Sequence, residues 1–312
     1  MYLPFLRGKQ FELLALRELA ALPLIASKIS PIIEPVKKDL KSIETAIKAL
    51  CQINVPIQLV VNPEQGELKR NYDPIFDSIS RLNALGINNI VPTYLIGNER
   101  DFQFFKDSAA AKNYLETGYS LIHLNQIASG AELKTMANNS NLRFNVIHVN
   151  HLIAIKRGYP LVSLAFLSDP FVKQKRNVDY EDSEDEIFSS DCFYYAAEGF
   201  AAFADYLTIG AEYIEGGMLP YAVVIHLTYK DRDSENIRIK HFLSNSNLDS
   251  SDTAGKFGEA IGKLVSFINT ENIHTVASEQ FRDYYNRGAF PGLGVIKKLS
   301  IMHHIELIQD QI

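Results

Sequence analysis

Short apolar runs alternate with stretches of helical spacing along most of this chain, and that alternation leaves few folds open. The runs cover residues 3–6, 31–36, 56–61, 90–96, 119–124, 144–149, 161–167 and 221–227. They are continuously apolar, which fits strands covered on both faces, as in a parallel sheet. Between the first two, Leu13, Leu14, Leu16 and Leu19 give residues 10–22 helical spacing, and Pro23 follows the end. Further helices are expected over 40–50, 75–85 (closed by Gly86), 100–115, 131–138 and 192–206. The connection after the sixth run is too short for a full helix and ends at Gly158-Tyr159-Pro160.

Eight strands with helices between them predict an α/β fold, a TIM-like (β/α)8 barrel of about 250 residues. A doubly wound open sheet shows the same local alternation, so strand count separates the two. From residue 221 the pattern changes. Residues 222–229 and 237–243 flank a polar run and read as an antiparallel hairpin. A polar stretch over 244–252 leads to a helix over 254–268, and 278–312 reads as partly helical. Gly216-Gly217 and Pro291-Gly292-Leu293-Gly294 read as turns. The expected organisation is a barrel-like domain over 1–236, with a hairpin-plus-helix extension over 237–312 packed on it as a single structural unit.

The chain has 312 residues, enough to bury a large core without disulfides or structural metal. Its 31 basic and 37 acidic residues give a net charge of −6, which argues against nonspecific coating of nucleic acid but leaves room for a local basic pocket. Cys51 and Cys192 form no metal or redox motif and suit a reducing cytosol. Residues 1–7 lack the features of a signal peptide, and no apolar run approaches the roughly 18 residues of a membrane span. A soluble cytoplasmic protein is the expectation.

The opening Leu3-Pro4-Phe5-Leu6-Arg7-Gly8-Lys9-Gln10-Phe11-Glu12-Leu13-Leu14-Ala15-Leu16-Arg17-Glu18, followed by Ile29-Ser30-Pro31-Ile32-Ile33-Glu34-Pro35, resembles the phage Beta-protein family of phages, satellites and bacterial mobile elements. Phe203-Ala204-Asp205-Tyr206, Ala222-Val223-Val224-Ile225-His226-Leu227-Thr228 and Met302-His303-His304-Ile305-Glu306 extend the similarity. The family's usual tryptophan before the terminal histidine pair has no counterpart, since the chain contains no Trp. The resemblance implies a barrel-like fold and a place in a mobile-element system, in anti-phage defence with a partner protein from the same operon.

In a parallel barrel, functional groups gather at the C-terminal ends of the strands. Those ends carry Arg7 and Lys9, Glu34 with Lys37 and Lys38, Asn62 with Glu64, Tyr94, His123 with Asn125, His148 with Asn150 and His151, Asp169 with Lys173 and Arg176, and His226. Glu34 lies inside an apolar run, where an ionised carboxylate is costly unless paired or ligating. It reads as a general base or metal ligand, or as an ion-pair partner of Arg7 or Lys9. Arg7 and Lys9 precede a helix N-terminus, a setting that suits phosphate or carboxylate. The arrangement is similar to that of barrel phosphodiesterases but lacks their histidine at the first strand end. The alternative for Lys9 is a solvated helix start with Glu12.

His123, His148, His151 and His226 lie in or at the end of apolar runs, as acid–base or metal-ligand candidates or as satisfied core histidines. A divalent metal is an open cofactor expectation, and no ligand set is assigned. On a terminal helix, His303 and Glu306 share a face whereas His303 and His304 diverge, which suits either a site or a docked helix. The segment 169–191 reads as a mobile loop with a basic start at Lys173 and Arg176 and an acidic remainder. No Walker A loop, GxGxxG fingerprint, nucleophile elbow or EF-hand loop occurs.

Two functions follow. One is a hydrolase of phosphodiesterase-like type acting on a phosphorylated or nucleotide-like substrate. In it Arg7, Lys9, Asn62, Lys173 and Arg176 would hold the anion, with Glu34, His226 and His123 as acid–base groups. The other is a noncatalytic barrel that binds a partner protein as sensor or regulator. Charges converging in one pocket favour the first, and charges paired with each other favour the second.

Overall fold

The computed structural model describes residues 1–22, 27–216 and 220–312. Pro23, expected after the first helix, and Gly217 of the expected Gly216-Gly217 turn lie outside these. The chain forms a closed parallel barrel of eight strands: β1 (Tyr2–Leu6), β2 (Ile32–Ile33), β3 (Ile57–Val60), β4 (Ile90–Ile96), β5 (Tyr119–His123), β6 (Leu142–His148), β7 (Leu164–Ser168) and β9 (Ala202–Asp205). The (β/α)8 architecture is as the alternation predicts. Helices α1 (Gln10–Ala20), α2 (Lys41–Gln52), α3 (Asp73–Ala84), α4 (Glu99–Ala111) and α6 (Gly130–Ala137) cover its outside, with short helices α5 (Tyr114–Thr117), α7 (Leu152–Ile155) and α8 (Asp191–Tyr194).

The closing strand is not the one expected. The pattern predicts a helix over 192–206, whereas only α8 is helical there and Ala202–Asp205 is the eighth barrel strand. Gly199 ends the helical turn at φ 85°, its N–H reaching Ala196 O at 3.1 Å while the Phe200 N–H returns to Tyr195 O at 2.9 Å. β9 then pairs with β7 on one side and β1 on the other, matching Phe203 to Tyr2. Ala202 and Ala204 face the barrel interior and Phe203 stacks outside on Tyr2 at 5.1 Å, so packing overrides the helix preference of alanine.

The run at 221–227 instead contributes β10 (Val224–Lys230), which pairs antiparallel with β11 (Ile237–Leu243), the expected hairpin. A third strand, β8 (Asp185–Ser189), joins it in the order β10-β11-β8. The segment 169–191 is therefore not a bare loop, because it holds a 3-10 turn over Asn177–Ser183 and then β8, whose Asp185 pairs with Arg238 at 2.9 Å. Three helices follow: α9 (Thr253–Thr270), α10 (Val276–Asn286) and α11 (Leu293–Gln311). α11 is buried on most sides and packs against α1, β10 and α10. That burial makes it the seam between barrel and extension.

Alternation along the strands sorts side chains in and out of the barrel. Leu3, Phe5, Ile32, Val60, Leu95, Ile122, Val146, Ala165, Leu167, Ala204 and Tyr206 fill the interior. Below them Gln58 receives Ser120 Oγ at 2.7 Å and donates to Ser30 Oγ at 3.0 Å, which satisfies a buried polar layer. The interior is a packed core and not a pore. No helix among the described residues is long and apolar enough to cross a membrane.

Candidate functional site

The predicted site residues fall into three separate places, with Arg176 outside all of them. Arg7, Glu34 and Asn62 stand at the C-terminal mouth. The Arg7 guanidinium forms an ion pair with Glu34, whose side chain is fully buried. Glu34 Oε1 also accepts the N–H groups of Glu64 at 2.8 Å and Gln65 at 3.2 Å. Arg7 lies over the adjoining rings of Phe5 and Tyr206, 5.1 and 5.3 Å away, and donates to Ala211 O at 2.5 Å. Asn62 acts as a surrogate backbone for β4, donating to Leu95 O and accepting from Leu95 N at 2.8 Å each. Ala211 N donates to Asp169 Oδ2 at 3.0 Å, so the segment 211–216 begins by crossing the end of β9 between β1 and β7, with Ala211 packed on the barrel interior. Arg7, Glu34 and Asp169 are each committed to another group of the chain.

His123 is elsewhere. Ile122 points into the barrel, so its neighbour points out, and His123 Nε2 meets Asn145 Oδ1 at 2.7 Å beneath Tyr159. Burial pushes its pKa down to about 4. It borders a cavity of about 670 Å³ shared with Asn125 and Lys134 on the outer wall. Arg176 lies in solvent, 76% exposed, and pairs with Asp179 at 2.5 Å.

The third place brings residues from four elements together. A lateral cavity of about 400 Å³ opens between the crossing segment, the connection after β7, β10 and α11, and Lys9, Lys173, Lys297 and His226 line it. Asn177, Thr208 and Ser300 add polar atoms. Lys9 donates to Ile214 O at 2.6 Å and sits 4.6 Å from the Tyr213 ring. Burial, then the nearby Lys297 charge, lowers its pKa. Lys173 reaches Glu212 at 2.7 Å, and Lys297 reaches Glu12 at 3.4 Å. Glu12 is 1% exposed and accepts the Arg7 N–H at 2.7 Å, so the alternative of a solvated helix start fails for Glu12.

His226 meets His241 across the hairpin with Nδ1 to Nδ1 at 2.6 Å. His241 Nε2 lies 3.3 Å from Glu186 Oε1 on β8. Phe171 and Tyr180 wall the His226 ring at 5.0 and 4.8 Å. Burial, followed by the adjacent His241, holds the His226 pKa well below its usual value. Burial also lowers that of His241, against the pull of Glu186. Both rings are therefore neutral near pH 7. Two nitrogens on one tetrahedral zinc stand about 3.4 Å apart, so the 2.6 Å spacing fits a shared proton. No group of three or more His, Cys, Asp or Glu among the described residues is arranged to hold a metal ion.

The terminal histidines dock the extension. His303 meets Thr275 Oγ1 at 2.8 Å and Thr228 O at 2.7 Å, while His304 meets Thr228 Oγ1 at 2.9 Å and approaches Asp205 at 3.5 Å. Glu306 caps α10 by accepting from Val276 N at 2.8 Å.

Fold and site together define a (β/α)8 barrel with a closed mouth and a basic cavity at its side. Compared with protein-family models, curated proteins and solved structures, the chain finds no match.

Proposed function

We propose that the protein binds a phosphorylated or nucleotide-like molecule in the lateral cavity and that His226 moves a proton there, in a hydrolase of phosphodiesterase-like type. The observation that carries this is the convergence of Lys9, Lys173, Lys297 and His226 on one cavity of about 400 Å³. Ammonium groups with lowered water access favour a multiply charged anion, and a neutral imidazole among them accepts a proton. Water attacks phosphorus, its proton passes to the imidazole, and the broken P–O ester bond leaves an oxygen that takes the proton back. The resemblance to the phage Beta-protein family supports a cytoplasmic role in a mobile-element defence system, beside a partner protein from the same operon.

Inorganic pyrophosphate titrated by calorimetry tests the binding, and bis(p-nitrophenyl) phosphate tests the reaction. Binding weakened in Lys9→Ala, with turnover lost in His226→Ala, supports the reading. No binding and no turnover in wild-type protein removes it.

The mutual pairing of Arg7 with Glu34 and the crossing of the mouth at Ala211 favour a second reading, a noncatalytic barrel that regulates a partner. A phage-challenge assay separates the two. Protection kept by His226→Ala and Lys9→Ala at normal expression supports the regulator.

A further inference from the structure

We infer that Glu186 and His241 are positioning residues that fix His226 in a single tautomer, Nδ1–H with a bare Nε2, forming a carboxylate–imidazole–imidazole relay across three strands. The relay is a statement about tautomers, and only its use as a proton acceptor rests on the cavity reading above.

The register makes the geometry. His226 on β10 stands directly opposite His241 on β11, and Glu186 on β8 stands opposite Ile239, one residue pair away on the same face. A carboxylate only accepts, so the 3.3 Å contact between Glu186 Oε1 and His241 Nε2 puts the His241 proton on Nε2. A neutral ring then has a bare Nδ1, which accepts. The 2.6 Å contact between the two Nδ1 atoms requires one donor, and that donor is His226. Its own Nε2 is left without a proton on the ring that borders the cavity. Phe171 and Tyr180 hold the ring from its sides.

The charges around the relay are ordered. On the His226 side stand Lys9, Lys173, Lys297 and Glu212. On the His241 side a second cavity of about 680 Å³ is lined by Glu181, Glu184 and Lys263, and Lys240 pairs with Glu184 at 3.0 Å and Asp185 at 3.5 Å. A proton taken up at Nε2 makes His226 an imidazolium, disfavoured by burial and by the adjacent His241 and favoured once an anion enters the cavity. Glu186 faces the resulting charge through His241. No covalent bond other than N–H changes in this step.

Long-range proton–nitrogen spectra of the full chain labelled with ¹⁵N-histidine test the relay. The expected spectrum shows His226 as the Nδ1–H form and His241 as the Nε2–H form, each assigned by its loss in His226→Gln or His241→Gln. Glu186→Leu, with its thermal midpoint checked for folding, is expected to reduce the His241 bias to a mixture of tautomers and the His226 bias with it. His226 observed as Nε2–H, or both tautomers unchanged in Glu186→Leu, overturns the relay. Addition of inorganic pyrophosphate addresses the cavity separately. His226 resonances that move support both readings, and Nδ1–H His226 that ignores saturating pyrophosphate supports the relay while overturning the cavity site.

Discussion

At the barrel mouth, Arg7 is held by Glu34, two aromatic rings and a backbone carbonyl, whereas in the lateral cavity Lys9, Lys173 and Lys297 share the lining with a neutral histidine. The mouth is where a barrel usually keeps its chemistry. Here it is closed by its own charges and by the segment that starts at Ala211. The cavity lies to one side, where the extension meets the barrel and α11 supplies Lys297. The difference teaches that charge at a strand end is not yet a site. What matters is whether the fold buries that charge with its partner, as at Arg7 and Glu34, or leaves a paired ammonium partly open to a cavity, as at Lys173 and Lys297.

The largest effect separating the two regions is expected in stability. Arg7→Ala leaves Glu34 buried without its cation, and urea unfolding should show a loss of about 3–5 kcal/mol. Replacing the pair together, as Arg7→Met with Glu34→Gln, should recover much of it, because the amide oxygen still accepts the Glu64 and Gln65 N–H groups. An Arg7→Ala protein as stable as wild type would mean that the mouth charges are not structurally committed.

A titration prediction comes next. Burial lowers the pKa values of His303 and His123 to about 4, below the usual 6.5. Depressed folded values mean that the unfolded chain binds protons first, so stability is full above pH 6.5 and falls as pH drops towards 4. Each histidine accounts for about 1.4 kcal/mol per pH unit inside that window. Unfolding midpoints measured from pH 7.5 to 4 should fall accordingly, and His303→Gln should flatten the curve. A flat wild-type profile would contradict the buried neutral assignments.

Smaller effects are expected from single cavity cations. Lys173→Ala should weaken pyrophosphate binding about threefold to tenfold, around 1 kcal/mol, because its ammonium is partly solvated and shared with Glu212. Arg176→Ala should change neither stability by more than about 0.5 kcal/mol nor binding, since that side chain is exposed and paired locally with Asp179. Equal losses from both variants would blur the boundary of the site.

Much of the fold was legible because buried parallel strands write continuous apolar runs, and seven of the barrel strands overlap a run read as strand. The eighth was missed because Ala202-Phe203-Ala204-Asp205 is short and alanine-rich, with strand character imposed by the gap between β7 and β1. Sequence position drew Arg7, Glu34 and Asn62 together, and they do share the mouth. It also drew in His123, whose outward direction follows from alternation on β5. Lys9, Lys173 and His226 do share a cavity. His241 had only a partial signal, since folding the expected strands about their polar run sets Lys240 opposite His226, and the observed pairing of Lys230 with Ile237 shifts the register by one to bring His241 there. Glu186 and Lys297 had none, because each arrives through tertiary pairing of segments far apart in the chain.

The central claim is that the anion site is the lateral cavity. Its most direct measurement is a calorimetric titration of inorganic pyrophosphate into wild-type protein and Lys9→Ala at low salt. The account predicts wild-type binding and affinity at least tenfold weaker in Lys9→Ala, about 1.4 kcal/mol. Equal affinity in the two proteins, or no wild-type binding, would contradict it.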